Sequence, residues 1–169
     1  MKKRAFNENE FEEKYQRYSK LLFRTANQYL LDADAAEDVV QEVFVKLFTG
    51  NKRFKDGEHE KAWLIRVTVN CCKNRLTSPK SRETELFDGT VGEQTFEKDS
   101  EMQIDFEREL KKLSPEQRTC IYLHYYEGYK ISEISEILKM KENTVKSVLS
   151  RARQTLRTNL EKEKEYELQ

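Results

Sequence analysis

Apolar side chains recur three to four residues apart along most of this chain, which is the spacing that gathers them on one face of an α-helix. A stripe through Tyr18 and Leu22 predicts one long amphipathic helix over residues 10–31. Similar stripes predict a second helix over residues 33–48 and a third over residues 59–76. The polar stretch between the second and third helices predicts a loop. The N-terminal half is therefore predicted to be a small helical bundle.

The C-terminal third shows two short helices followed by a longer one. Ser114-Pro115-Glu116-Gln117 has the form of a capping box, with proline at the first helical position. An apolar run through Leu123 and Tyr126 follows and ends at Gly128. A short helix over residues 131–138 and a polar break precede the last helix. This order of elements is typical of a helix-turn-helix.

The last helix is predicted to be apolar on one side and basic on the other. Val145, Leu149 and Ala152 share one side. Between residues 141 and 157 there are five basic residues and one acidic residue, Glu142, and this excess of positive charge favours a DNA contact. Such a helix can place its first turns against base edges in a major groove, with Thr144 at a phosphate. A solvated charged helix in an ordinary bundle is the alternative interpretation. The basic side chains of this stretch are Lys141, Lys146, Arg151, Arg153 and Arg157.

Composition supports an all-α fold with two small domains. The chain has 169 residues, five glycines, two prolines and no long alternating strand pattern. Residues 79–108 are rich in acidic side chains and predict a flexible acidic linker between residues 1–78 and 109–169. An acidic extended chain could also occupy a basic nucleic-acid channel of a partner. Because the formal net charge is zero, nucleic-acid binding is expected from local basic patches.

Side chains suited to catalysis or metal binding are not gathered in any recognisable pattern. The three cysteines, Cys71, Cys72 and Cys120, lack ligand spacing, so buried thiols are expected rather than a metal site. Cys120 and His124 are four residues apart, but apolar neighbours favour a core contact. We therefore expect no enzyme, metal or cofactor. The absence of a signal peptide or an apolar run of membrane-spanning length predicts a cytoplasmic protein.

Two blocks of sequence resemble the bacterial sigma factors of the extracytoplasmic-function type (group 4). The stretches DVVQEVFVKLF, at residues 38–48, and AWLIRVTVN, at residues 62–70, are similar to their second conserved region. The stretches YEG, at residues 126–128, and NTVKS, at residues 143–147, are similar to their fourth region, as is SRAR at residues 150–153. The resemblance implies promoter-specific transcription initiation in response to stress, with promoter DNA and core RNA polymerase as partners, and no small-molecule substrate.

The resemblance also implies a role for each surface. Polymerase would be contacted through its β′ clamp and β flap, and an anti-sigma factor, often membrane-anchored, would hold the protein inactive. The polymerase-binding residues would be Asp38, Gln41 and Glu42. The −10 DNA contacts would be Asn51, Arg66, Asn70, Lys73, Asn74 and Arg75. The −35 DNA contacts would be Thr144, Lys146, Ser147, Ser150, Arg151 and Arg153.

A second function remains open on the sequence alone. The chain could be a free-standing helix-turn-helix regulator whose N-terminal bundle senses a ligand or dimerises. Promoter binding with and without core polymerase would separate the two. Trp63 likewise has two interpretations, stacking on a base or packing in the core, and its apolar neighbours favour the core.

Overall fold

The computed structural model describes residues 5, 7–78 and 101–168, which fall into two compact units in the chain. Within these ranges all regular structure is helical, which confirms the all-α prediction. Most of the predicted linker, residues 79–100, lies outside the described residues. Its last part, residues 101–108, forms the start of a helix.

Three helices make up the first unit. Each begins after a side chain that accepts hydrogen bonds from backbone N–H groups of the first turn, namely Asn7, Asp32 and Asp56. Such caps satisfy donors that have no partner inside the helix. The predicted starts therefore agree with the structure to within two residues. The helices are α1 (Glu8–Leu30), α2 (Ala33–Thr49) and α3 (Gly57–Thr77).

The core of the first unit is where all three helices meet. Its aliphatic side chains come from each helix, as the three apolar stripes predict, and Leu64 is fully buried although it lies one residue beyond Trp63. Burying a side chain of this size contributes roughly 1.5–3 kcal/mol. Fully buried core residues include Leu22, Ala26, Ala36, Val39, Val43, Leu64, Ile65 and Cys72.

One buried ionic group ties α1 to α3. Glu60 is 5% exposed and accepts hydrogen bonds from Lys14 Nζ and, at 3.2 Å, from the Tyr18 hydroxyl. A buried carboxylate needs such partners because it has lost its water. Burial, opposed in part by the hydrogen bond with Arg17, raises the pKa of Tyr18. This network fixes the start of α3 against the middle of α1.

The second unit contains the predicted helix-turn-helix. The capping box at Ser114 is present: Gln117 N–H donates to Ser114 Oγ at 3.2 Å, and Ser114 N–H donates to Gln117 Oε1 at 3.1 Å. The helices are α4 (Glu101–Lys112), α5 (Pro115–Ile121), α6 (Ile131–Leu138) and α7 (Glu142–Glu167), with a π-helical turn, Tyr122–Tyr126, after α5.

The π-helical turn is a feature that the apolar pattern did not predict. Glu127 N–H donates to the Tyr122 carbonyl at 3.1 Å, which is an i to i−5 bond. The wider turn changes which side chains face the core. Tyr126, which the apolar run placed inward, is 55% exposed, whereas Tyr122 is 3% exposed. Gly128, with φ +73°, ends this segment as predicted.

The turn between α6 and α7 is made without glycine. Lys139 ends α6 in the left-handed region, with φ 52°. At the start of the same helix, Lys130 N–H donates to Glu133 Oε2 at 2.7 Å, although no serine or threonine cap is available there. The helix-turn-helix therefore forms with locally strained turn chemistry.

Candidate nucleic-acid interfaces

The outer face of α7 is the first candidate interface. Val145, Leu149 and Ala152 are fully buried against the rest of the second unit, which fixes the rotation of α7 about its axis. Four polar residues with helical spacing are exposed on the opposite side, as the sequence predicted. They are Lys146, Ser147, Ser150 and Arg151.

Two further residues predicted for this interface lie near its edges. Thr144 is exposed in the first turn of α7, where a phosphate could meet the helix N-terminus. Arg153 is exposed, but its Nη1 donates to the Tyr125 hydroxyl at 3.0 Å, so the guanidinium lies against the π-helical turn. The structure thus places Thr144 near the four-residue face and the Arg153 guanidinium beside Tyr125.

The second candidate interface is one face of α3. Asn70, Lys73 and Asn74 are exposed on it, and Arg66 lies one turn earlier and is half-buried. Amide and guanidinium groups can bond to the edges of unpaired bases, and an ammonium can meet a phosphate. The structure therefore places four of the predicted −10 residues on a common surface.

Arg75 is turned away from that surface. Its Nη2 forms an ion pair with Asp38 Oδ2 of α2 at 2.9 Å. Asp38 was predicted for polymerase binding and Arg75 for −10 DNA, so two residues assigned to different partners contact each other. The sequence could not indicate this, because the two positions are far apart in the chain.

The exposed edge of α2 carries the three residues predicted for polymerase binding. Besides Asp38, Gln41 and Glu42 are exposed. Glu42 pairs with Lys46 at 3.1 Å and accepts a hydrogen bond from the Cys71 thiol at 3.6 Å. Gln41 also lines a shallow cavity of about 370 Å³ between α1 and α2. This edge is acidic, and its two carboxylates, Asp38 and Glu42, already form ion pairs with neighbouring side chains.

A larger cleft of about 1010 Å³ lies beside the loop that joins α2 to α3. Asn51, predicted as a −10 contact, is exposed on this loop and lines the cleft. Lys14 and Arg17 of α1 line it as well, and sequence reasoning missed both. They lie near the start of α1, and only the fold brings them to the loop. Four cationic residues and two acidic residues, Asp56 and Glu60, line the cleft, and this net positive lining suits a nucleic acid.

The loop is held in place by side chains of α3. The Phe54 ring lies 5.4 Å from the Trp63 ring and 5.6 Å from His59. Lys52 Nζ lies 5.6 Å from the centre of the Trp63 ring. Trp63, expected in the core, is only half-buried because it supports the loop instead. The spacing of Asp56 and His59, which resembles a capping box, is the signal that could have indicated His59.

The cysteines are structural. All three are free and buried, and burial, together with the neighbouring Cys71, raises the pKa of Cys72 to about 12. Burial also raises the pKa of Cys71. His124 Nδ1 lies 2.7 Å from the Tyr129 carbonyl oxygen, so the hydrogen-bond partner of this imidazole is a backbone group and not Cys120. Among the described residues no cluster of metal-binding side chains occurs, and no helix is long and apolar enough to cross a membrane.

A helical bundle with a net positive cleft, together with a helix-turn-helix that exposes a polar face, is typical of a two-unit DNA-binding protein. Known families agree with this class. Residues 15–82 match the family described as Sigma-70 region 2, and residues 103–156 match the family described as Sigma-70, region 4. The chain belongs to the sigma-70 family of RNA polymerase sigma factors, among those of the extracytoplasmic-function type.

Individual relatives cover most of the chain. It is 30% identical over 146 residues to RNA polymerase sigma factor SigV of Bacillus subtilis, covering 83% of this chain and 85% of SigV. It is 31% identical over 156 residues to the sigma-E factor of Streptomyces avermitilis, covering 90% of this chain and 86% of that protein. The solved sigma factor RpoE of Bartonella quintana, in complex with the anti-sigma factor NepR, has a TM-score of 0.71 at 27% identity, covering 90% and 97% of the two chains.

Family membership confirms the predicted function: the protein is an alternative sigma factor that directs transcription initiation. Sigma factors are regulators rather than enzymes. Matches to both regions, in this order, favour this function over a free-standing regulator, whose N-terminal sensing or dimerisation bundle would have no reason to match Sigma-70 region 2.

Proposed function

We propose that the first unit binds core RNA polymerase and the −10 element, and that the second unit binds the −35 element. Residues 1–78 and 109–169 would then act as the two functional domains, and residues 79–108 as the linker. The observation that carries this assignment is the division of α7 into a buried apolar side and an exposed polar side.

For the −35 element, α7 would lie in the major groove. Lys146 and Arg151 can donate to guanine acceptors, and the small side chains of Ser147 and Ser150 allow close approach of the helix. The Ser147 hydroxyl donates to the Asn143 carbonyl at 2.9 Å, so it would meet DNA as an acceptor. Arg153 would contact a phosphate, either while its guanidinium stays beside Tyr125 or after that hydrogen bond breaks.

For the −10 element, the exposed face of α3 and the cleft would receive a separated strand. Asn70 and Asn74 can bond to base edges, and Lys73 can bond to a phosphate. An unpaired base could enter the cleft beside Asn51, because the lining of the cleft carries more cationic than acidic side chains. Both surfaces belong to the same compact unit, so one strand could contact both.

For polymerase, the acidic edge of α2 would meet a basic surface of the β′ clamp. Asp38, Gln41 and Glu42 all present acceptor atoms on exposed positions. The second unit would contact the β flap. Electrostatic complementarity of this kind accelerates association and fixes the register of the two partners.

Regulation would come from an anti-sigma factor. The structure of RpoE from Bartonella quintana was solved in complex with an anti-sigma factor, and the similarity to this chain covers 97% of RpoE. We propose that the protein acts in the cytoplasm and is held at the membrane when its inhibitor is anchored there.

The test is promoter binding with and without core polymerase. Because the net charge of the whole chain is zero, the protein without polymerase is expected to bind promoter DNA weakly. Core polymerase would let both contacts form at once, so affinity should rise by about 10²-fold or more. Core polymerase without the protein is the control. Tight, sequence-specific binding by the free protein would favour the free-standing regulator.

A further inference from the structure

His59 forms an unusual return bond at the start of α3. His59 N–H donates to Asp56 Oδ1 at 2.8 Å, and in return Lys55 N–H donates to His59 Nδ1 at 3.1 Å. This reciprocal arrangement resembles a capping box, in which glutamate or glutamine usually supplies the return acceptor. Here a histidine supplies it.

The same imidazole supports the loop beside the cleft. Phe54 contacts His59 edge-on, at an interplanar angle of 85°, and also contacts Trp63. Phe54 and Asn51 both line the cleft. Two independent contacts, one to the backbone and one to a ring, therefore connect His59 to the segment that borders the cleft.

The return bond requires one protonation state. Nδ1 can accept from an N–H group only while it carries no proton, and an imidazolium carries a proton on both nitrogens. A positive charge in the first turn of a helix is also unfavourable, because the helix N-terminus is already positive. Histidine is the side chain whose charge ordinarily changes between about pH 5 and 8. A glutamate at this position would keep its acceptor throughout that range.

We propose that His59 is a positioning residue for −10 recognition: in its neutral form it fixes residues 51–56 beside the cleft, and on protonation it releases them. This inference rests on the proposed function of the cleft. Other charged groups of the loop, of α3 and of α1 adjoin this region and set the local field, but the His59 side chain is the one that accepts the return bond. They are Lys52, Arg53, Lys55, Asp56, Glu58, Glu60, Lys14 and Arg17.

The first experiment follows the loop without DNA. Trp63 is the only tryptophan of the chain and contacts Phe54, so its fluorescence reports on the loop. In the full-length protein this fluorescence should change in a single one-proton transition as the pH is lowered. His59→Asn should abolish the transition, because the asparagine Oδ1 can take the place of Nδ1 and accept at every pH.

The matched control is His124→Asn. His124 is the only other histidine and lies in the second unit, so this variant should keep the transition. A transition that persists in His59→Asn, or one that the wild-type protein lacks, would overturn the inference.

The second experiment measures −10 recognition by holoenzyme. Discrimination between a cognate and a mutated −10 sequence should fall about 2- to 10-fold as the pH falls from 8 to 5.5, which corresponds to the net value of one hydrogen bond. His59→Asn holoenzyme should keep the high-pH discrimination across the range. If fluorescence titrates as expected but discrimination does not depend on pH in either protein, the loop is pinned by His59 and the role proposed for the cleft is wrong.

Discussion

Arg151 gives the sharpest test of the −35 assignment. Its side chain is exposed on α7, and it follows Ser150 directly in the chain. Replacing it with alanine, the best helix former, should leave the fold unchanged. If Arg151 donates to a guanine, the change should cost about 1–3 kcal/mol at the cognate −35 sequence. That range corresponds to a loss of roughly 5- to 150-fold in affinity.

Arg157 provides a matched control on the same helix. It is also exposed, and it lies beyond the first turns that could enter a groove. Arg157→Ala removes the same charge, so it should weaken binding to all −35 sequences alike. It should also reduce the slope of log affinity against log salt concentration by about one. The two variants therefore separate base recognition from phosphate attraction.

The assay is binding and transcription by reconstituted holoenzyme on a library of −35 variants, at two or more salt concentrations. Arg151→Ala should relax the preference at one or two positions of the element and leave the other positions unchanged. If it instead lowers every promoter equally and preserves their rank order, Arg151 contacts a phosphate. The proposed rotation of α7 in the groove would then be wrong.

Three further predictions concern other parts of the structure. Gln41→Ala with Glu42→Lys should weaken binding to core polymerase while circular dichroism stays unchanged. Unaltered affinity would mean that these residues form a solvated surface and do not contact polymerase. Lys139→Gly should raise the free energy of unfolding by about 0.5–1 kcal/mol in urea, because the left-handed strain exceeds the entropy cost of glycine; Lys139→Ala, which keeps the strain, should give no such gain. Glu60→Gln should lower the free energy of unfolding by about 1–3 kcal/mol, whereas Glu13→Gln, at an exposed ion pair, should lower it by less than about 0.5 kcal/mol. Equal losses in the two variants would contradict the role given to the buried network around Glu60.

Local chemistry made much of the fold predictable. Ser114 caps a helix where the sequence placed the cap, because capping depends on residues within one turn. The apolar stripe of α7 was also predictable, since burial follows a period of 3.6 residues. The exposed polar face then followed from the same periodicity, and so did the four residues proposed for the −35 element.

Features that depend on tertiary contacts were not predictable. The π-helical turn shifts Tyr126 outward, and a 3.6-residue pattern contains no information on an i to i−5 bond. Trp63 left the core because Phe54 approaches it from the loop. The cleft required Lys14 and Arg17 to meet a loop more than thirty positions away. The positions of Trp63 and of the cleft residues are set by contacts between separate segments of the chain.

The ion pair between Asp38 and Arg75 affects how mutant phenotypes should be interpreted. A charge reversal at either residue leaves two like charges facing each other across α2 and α3, in addition to removing any contact with a partner. A defective Arg75 variant in a genetic screen therefore reports on the contact between α2 and α3 as well as on any contact with promoter DNA. Reversing both charges together restores the attraction between the helices. The double reversal would isolate the loss of partner contacts, and second-site suppressors of a lesion at Asp38 should be sought first at Arg75.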